Sequence, residues 1–224
     1  MRTFLAFLGL CLFALSQTAS ADPYAFGYSS FNSGNNLDIN DTPSYNTDSG
    51  WVRNDGYHNG GIPGLANTNY FSGYNSGLNC TTYCADYFSF DLSDLSGTVT
   101  SASFNVYAYT VTNPGTFDIF ATSLTPAQVD SSNTFTDPSI FTGIVTAPMI
   151  GTLAIGPGDN ETFVTVTLDS TGLAWLQANE GSQVVLGGAY DYSEGTIPEP
   201  SSVMLFGTAL LGVAGFLRRK RAAR

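Results

Sequence analysis

Through the middle of the chain, apolar residues return at every second position. Phe88, Phe90 and Leu92 alternate with Ser89 and Asp91, and Phe104, Val106 and Ala108 alternate with Asn105 and Tyr107. Phe117, Ile119 and Ala121 repeat the pattern, as do Val164, Val166 and Leu168 around Thr165 and Thr167. Successive strand side chains point to opposite faces, so a period of two marks strands with one face buried. Gln183–Tyr190 is a further strand, and Tyr24–Phe31 and Asn67–Tyr74 are earlier candidates. Turn residues separate the runs at Ser96-Gly97, Asn113-Pro114-Gly115 and Gly156-Pro157-Gly158-Asp159-Asn160. The number and spacing of these strands predict an all-β fold, a two-layer antiparallel sandwich. One short helix is expected over Ser170–Glu180, capped by Asp169 or Ser170 and ended by Gly181, with Leu173 and Leu176 on its buried face and Trp175 in its packing.

The two ends differ in texture from this body. Arg2 precedes an apolar run from Phe4 to Leu15, and small residues lead to Ala19, Ser20 and Ala21. A positive start, a short apolar stretch and an A-x-A ending make a secretory signal peptide over residues 1–21, cut between Ala21 and Asp22. Its partners are then the Sec translocon and signal peptidase. Residues 22–82 form an Asn-, Ser-, Gly- and Tyr-rich N-terminal part of the β domain, and residues 83–196 form the sandwich. At the other end, Pro198-Glu199-Pro200 precedes an uncharged apolar run, Val203–Leu217, which Arg218, Arg219, Lys220 and Arg221 close. Such a run, with a basic stop, predicts a transmembrane helix over 203–217 with its C-terminus in the cytoplasm. Pro198 and Pro200 keep the chain before it out of helix.

These tail residues resemble the tripartite PEP-CTERM sorting signal: Pro198-Glu199-Pro200, then the helix, then the basic cluster, over 197–224. The resemblance implies an exosortase-type membrane peptidase as partner, in Gram-negative bacteria that make extracellular polysaccharide. It also implies cleavage at or near the motif. The precursor would sit in the inner membrane, transiently held by its C-terminal helix, before release to the cell surface or the extracellular space. The span Asp86–Tyr190, with its Phe88-Ser89-Phe90-Asp91-Leu92-Ser93 opening, is distantly similar to the jelly-roll domains found in such proteins. The sandwich is therefore expected to be jelly-roll-like.

Charge and side-chain chemistry limit what the body does. Of seven Lys and Arg residues, only Arg53 lies between the two end segments, whereas all eighteen Asp and Glu residues lie between Asp22 and Glu199. So acidic a body repels phosphate backbones, which excludes nucleic acid as a partner. Cys80 and Cys84 are the cysteines left after export, and an oxidising compartment favours a disulfide. In a straight strand their Cα atoms would lie about 13 Å apart, and a disulfide needs less than about 7 Å. Thr81-Thr82-Tyr83 must therefore form a tight loop or a helical turn. Zinc lacks the ligands, because only His58 is available to join the two thiols.

His58 is the sole histidine and sits in a glycine- and asparagine-rich stretch that reads as a loop. No G-x-S-x-G elbow accompanies it. Asp91 and Asp94 invite comparison with a glycosidase pair, but one lies outward on a strand and the other in a turn. No enzyme is expected, and no cofactor beyond calcium. Calcium is the one metal suited to the loop oxygens of Asp38, Asn40 and Asp41, and of Asp159, Asn160 and Glu161, with Asx-type turns as the competing reading. Three functions compete. The first, and the one favoured, is a non-enzymatic structural or adhesive protein associated with exopolysaccharide at the cell surface. A carbohydrate-binding module would show a line of exposed aromatics on one sheet face or a loop edge. A polysaccharide-active enzyme would show convergent acids with perturbed pKa values.

Overall fold

The computed structural model describes residues 23–26, 34–59, 69–75, 80–129 and 137–191. They belong to one compact unit, Asp22–Ser193. The expected signal peptide, with Ala19, Ala21 and Asp22, and the tail, with Pro198-Glu199-Pro200 and Arg218–Arg221, lie outside the described residues.

Eleven strands form the sheet: β1 Tyr24–Ala25, β2 Asn36–Ile39, β3 Thr42–Arg53, β4 His58–Asn59, β5 Ser72–Asn75, β6 Cys80–Asp91, β7 Ala102–Ala108, β8 Gly115–Ala121, β9 Met149–Ile155, β10 Thr162–Thr167 and β11 Gln183–Asp191. Eight of them follow one path, β10-β7-β2-β3-β6-β11-β8-β9, and β1, β4 and β5 branch from it. Every pairing is antiparallel. Three α-helices are described, α1 Pro126–Val129, α2 Pro138–Val145 and α3 Ser170–Ala178, with one short 3-10 helix at Pro157–Asp159.

The two-layer sandwich expected from the alternation is corrected by this path. The sheet rolls into a nearly closed eight-stranded barrel. Two local features produce the rolling. Strand β3 serves both halves: Thr42–Tyr45 pair with β2, and Asn46–Arg53 pair with β6. A bulge between Asn46 and Asp48 turns the corner, since an extra residue bends a strand and increases its twist. At the opposite seam the end strands come together, and the Asp169 N–H just past β10 donates to the Ile150 carbonyl of β9 at 2.8 Å. Alternation reports that one face of each strand is buried. It is the same for two stacked layers and for one sheet curled on itself, so the period alone does not separate them.

The expected transmembrane helix is corrected as well. Among the described residues no helix is long and apolar enough to cross a membrane, and the segment 203–217 assigned to it lies outside them. The helix expected at Ser170–Glu180 is α3. The Asp169 carboxylate caps it, accepting from the N–H groups of Thr171 and Gly172, which satisfies two otherwise orphaned donors. Leu176 is buried in the core and Trp175 packs against it, so Trp175 is a packing residue.

The barrel interior is aromatic. Phe26, Tyr70, Phe88, Phe90, Phe104 and Phe117 are all buried in the main core cluster. Phe88 and Phe104 bridge the two halves with ring centroids 4.8 Å apart. A second cluster lies outside the barrel wall, where Ile140 and Ile144 of α2 cover Val52, Ala85, Tyr87 and Val185. The Tyr87 hydroxyl donates to the Val129 carbonyl at 2.9 Å, tying α1 to the same face.

Candidate functional site

Of the residues singled out for calcium, all but Asp38 lie at turns. Asn40 and Asp41 have φ of 50° and 63° and form the β2–β3 hairpin turn, where two left-handed residues match the twist of the strands. The Asn40 side-chain oxygen accepts from the N–H groups of Thr100 and Ser101 and from the Thr100 hydroxyl, and its amide donates to the Thr98 carbonyl. Asp38 lies within β2, between Pro43 and Ser103. At the other end of β7, Asp159 accepts from the Gly156 N–H at 2.8 Å. Asn160 accepts from the Val111 N–H, and the Glu161 N–H donates to the Ala108 carbonyl. The two groups therefore sit at opposite ends of β7. Among the described residues no three His, Cys, Asp or Glu side chains converge on a metal position.

Cys80 and Cys84 form a disulfide with Cα atoms 6.1 Å apart. Neither the loop nor the helical turn that the sequence demanded is present, because both cysteines lie within β6. Between the pairs Gly73–Cys84 and Asn75–Cys80, β6 spends two more residues than β5. The excess puckers Thr81–Tyr83 and draws the cysteines together. The bridge packs with Trp51 and Phe71 in a small cluster at this end of the barrel. His58 pairs with Val52 in β4, so its segment is a strand. Arg53 is held by Asp55 through two hydrogen bonds and stacks 4.7 Å over the Tyr57 ring. The guanidinium lowers the Asp55 carboxyl below its ordinary range.

A pocket of about 370 Å³ opens where β3 parts from β6, lined by Asn40, Ser44, Asp91, Leu92 and Asp94 among others. It brings Asp91 and Asp94 to one place. Asp91 accepts from the Ser93 N–H at 2.9 Å, and that bond holds its carboxyl below the ordinary range. A general acid needs the opposite shift. The acid that is pushed upward is Asp86. It is fully buried, and among the described residues neither carboxyl oxygen has a hydrogen-bond partner. Burial raises it well above the usual carboxylate value, and it is not among the residues that line the pocket. Asp86 faces the interior with Phe88 and Phe90, opposite Gly188 of β11. A Cβ on Gly188 would lie 2.1 Å from an Asp86 oxygen, so only glycine admits the carboxyl.

The outer face of β10, β7, β2 and the start of β3 has a different character. The register aligns Phe163 with Tyr107, and Thr165, Asn105, Asn36 and Tyr45 across four strands. Tyr45 and Phe163 are 58% and 53% exposed. The Tyr107 and Phe163 rings meet edge to face at 5.2 Å. Between the aromatics runs a ladder of polar side chains. The Thr165 hydroxyl donates to the Asn105 carbonyl oxygen at 2.7 Å, the Asn105 amide to Asn36 at 3.0 Å, and the Asn36 amide to the Gly34 carbonyl at 2.8 Å. An aromatic line is the mark of a glycan-binding module, and the sequence alone does not identify these residues as one. Tyr45 lies in a polar stretch with no visible alternation, and Phe163 in the outward register of its strand is the one signal that stood in the sequence.

The body is thus an all-β barrel, acidic, stapled by one disulfide, and carrying an exposed aromatic and amide face. What the chain is comes from its end. Residues 196–221 match the PEP-CTERM protein-sorting motif, so the chain carries the sorting domain of an exosortase substrate. The matched motif is a sorting motif without catalytic function. It includes Pro198-Glu199-Pro200 and Arg218–Arg221. Comparison with curated proteins finds no match to the chain.

Proposed function

We propose that this exported, exosortase-sorted protein is a structural or adhesive component of the cell surface or of the exopolysaccharide matrix, acting without catalysis. The observation that carries the reading is the sorting motif at 196–221. On this reading export uses the Sec translocon and signal peptidase, with the cut between Ala21 and Asp22, and exosortase then processes the chain at or near Pro198-Glu199-Pro200. The body suits such a location. It has a disulfide, which oxidising compartments maintain, and its net negative charge favours solubility and spacing among neighbours. The carboxylates of Asp91, Asp137, Asp159 and Asp169 accept from nearby backbone N–H groups, which fits a stable scaffold better than a reaction centre.

The test is fractionation of a host that has an exosortase and makes exopolysaccharide. The expected outcome is wild-type protein in the surface and matrix fractions, with mass spectrometry showing loss of the tail after the motif. Replacing Pro198, Glu199 and Pro200 with alanine should leave the precursor uncut and absent from those fractions. Wild-type protein confined to the cell interior, or matrix protein still carrying its full tail, would end the reading.

A further inference from the structure

We infer that the outer face formed by β10, β7, β2 and the start of β3 is a binding surface for an uncharged polysaccharide chain. The inference rests on the matrix role proposed above and names the site and ligand class for it. The face joins two properties that a sugar chain requires together. Its aromatic rings offer flat apolar surface to the C–H faces of pyranose rings, and its amides and hydroxyl offer hydrogen bonds to ring hydroxyls.

The aromatics are held ready. Phe163 is wedged between Tyr107, 5.2 Å away edge to face, and Gly34, where an added Cβ would lie 2.6 Å from the ring. Tyr45 stands two strands away from Tyr107 and one residue pair along. Ordinary strand spacing and rise put their backbones about 12 Å apart, a span for a short run of pyranose rings. Asn36, Asn105 and Thr165 lie between them. Each is oriented by its neighbour in the ladder, yet an amide has two donors and two acceptor sites, and a hydroxyl two acceptor sites. Each therefore keeps capacity for a ligand.

Charge selects the kind of polymer. No Lys or Arg lies in β10, β7, β2 or the first half of β3, and Arg53, farther along β3, is bridged to Asp55. The acid of this face, Asp38, stands at its hairpin end. Polyuronates and sulfated chains would meet repulsion and find no cation. A nucleic acid is excluded for the same reason. A protein partner prefers a desolvated apolar centre, and here the centre is the amide ladder. An uncharged glycan fits what remains.

The experiment uses mature protein recovered from the exporting host and affinity electrophoresis through gels containing neutral glucans, mannans or galactans, with a polyuronate gel alongside. At least one neutral polymer should retard the wild type, and the polyuronate should not. Tyr45→Ala and Phe163→Ala should each weaken that retardation about tenfold, in keeping with the loss of one aromatic contact. Both residues are exposed, so thermal midpoints should match the wild type and separate lost binding from lost fold. No retardation by any neutral polymer, retardation by the polyuronate alone, or equal retardation of the double variant that combines Tyr45→Ala and Phe163→Ala would overturn the inference. Sedimentation of the same proteins with isolated matrix distinguishes the two readings. If wild type and double variant sediment equally, the face is wrong and the matrix role stands; if wild type does not sediment, the matrix role itself fails.

Discussion

Strands β6 and β7 follow one another in the chain, yet one is buried on both faces and the other on one. From Cys84 to Phe90 every residue of β6 is buried, whereas β7 alternates strictly between buried and half-exposed positions. The reason lies outside both strands. Helix α2 covers the outer wall over β6 and β11, while the outer face of β7 and β10 carries exposed Thr165, Thr167 and Phe163. The same barrel therefore has one wall that stores stability and one that is free to present side chains. Function is more economically built on the second, because changes there leave packing intact.

The largest effect should come from the covered wall. Ile144 is fully buried and packs against Gly187, where a Cβ would lie 2.6 Å from an Ile144 methyl group. Ile144→Ala should cost about 2–5 kcal/mol, read from urea denaturation midpoints. A cost near zero would mean that α2 does not stabilise the wall, and the contrast with β7 would lose its cause.

Reduction of the disulfide, or Cys80→Ser with Cys84→Ser, acts at the start of β6, in the cluster with Trp51 and Phe71. Closing so short a loop, with the cysteines four apart in sequence, is worth about 2 kcal/mol in the chain-entropy account. Thermal unfolding with and without reductant measures it.

Asp86 gives the covered wall a pH signature. Its carboxyl is raised in the folded protein, so the folded state holds a proton that the unfolded chain gives up near pH 4. Stability from this group is complete below that pH and declines as pH rises toward the folded value. Tyr70 and Tyr83, the titrating neighbours that feel its charge, are themselves pushed upward chiefly by burial and stay neutral through that window. Asp86→Asn should flatten the decline by about 1–3 kcal/mol at its upper end, the scale of a buried polar group without partners. Equal pH profiles for the two proteins would show that Asp86 does not titrate in the barrel.

The smallest effect belongs to the open wall. Phe163→Ala should change stability by no more than about 0.5 kcal/mol, by the same urea measurement. A cost comparable to that of Ile144→Ala would place Phe163 in the core economy and erase the distinction between the walls.

Much of this was legible in the residues themselves. Alternation at Phe104–Ala108 and Val164–Leu168 specified strands and their buried faces, because side-chain direction in a strand is a local consequence of backbone geometry; at Phe88–Leu92 it specified the inner face, while Ser89 on the outer face is buried as well. The capping of α3 by Asp169 was equally local, and the sorting motif is a linear signal. Helices α1 and α2 gave no strong periodic signal, being short, and β3 hid in a polar stretch whose pairing comes from partners far away. Whether the sheet stacked as two layers or rolled into a barrel depended on the bulge at Asn46–Asp48 and on the approach of β9 to β10. The disulfide geometry depended on the register of β5 against β6, and the aromatic and amide face on four strands arriving in register. Sequence determined what each segment does alone; only the tertiary structure decided what stands next to it, because pairing energy is shared between residues that the chain places far apart.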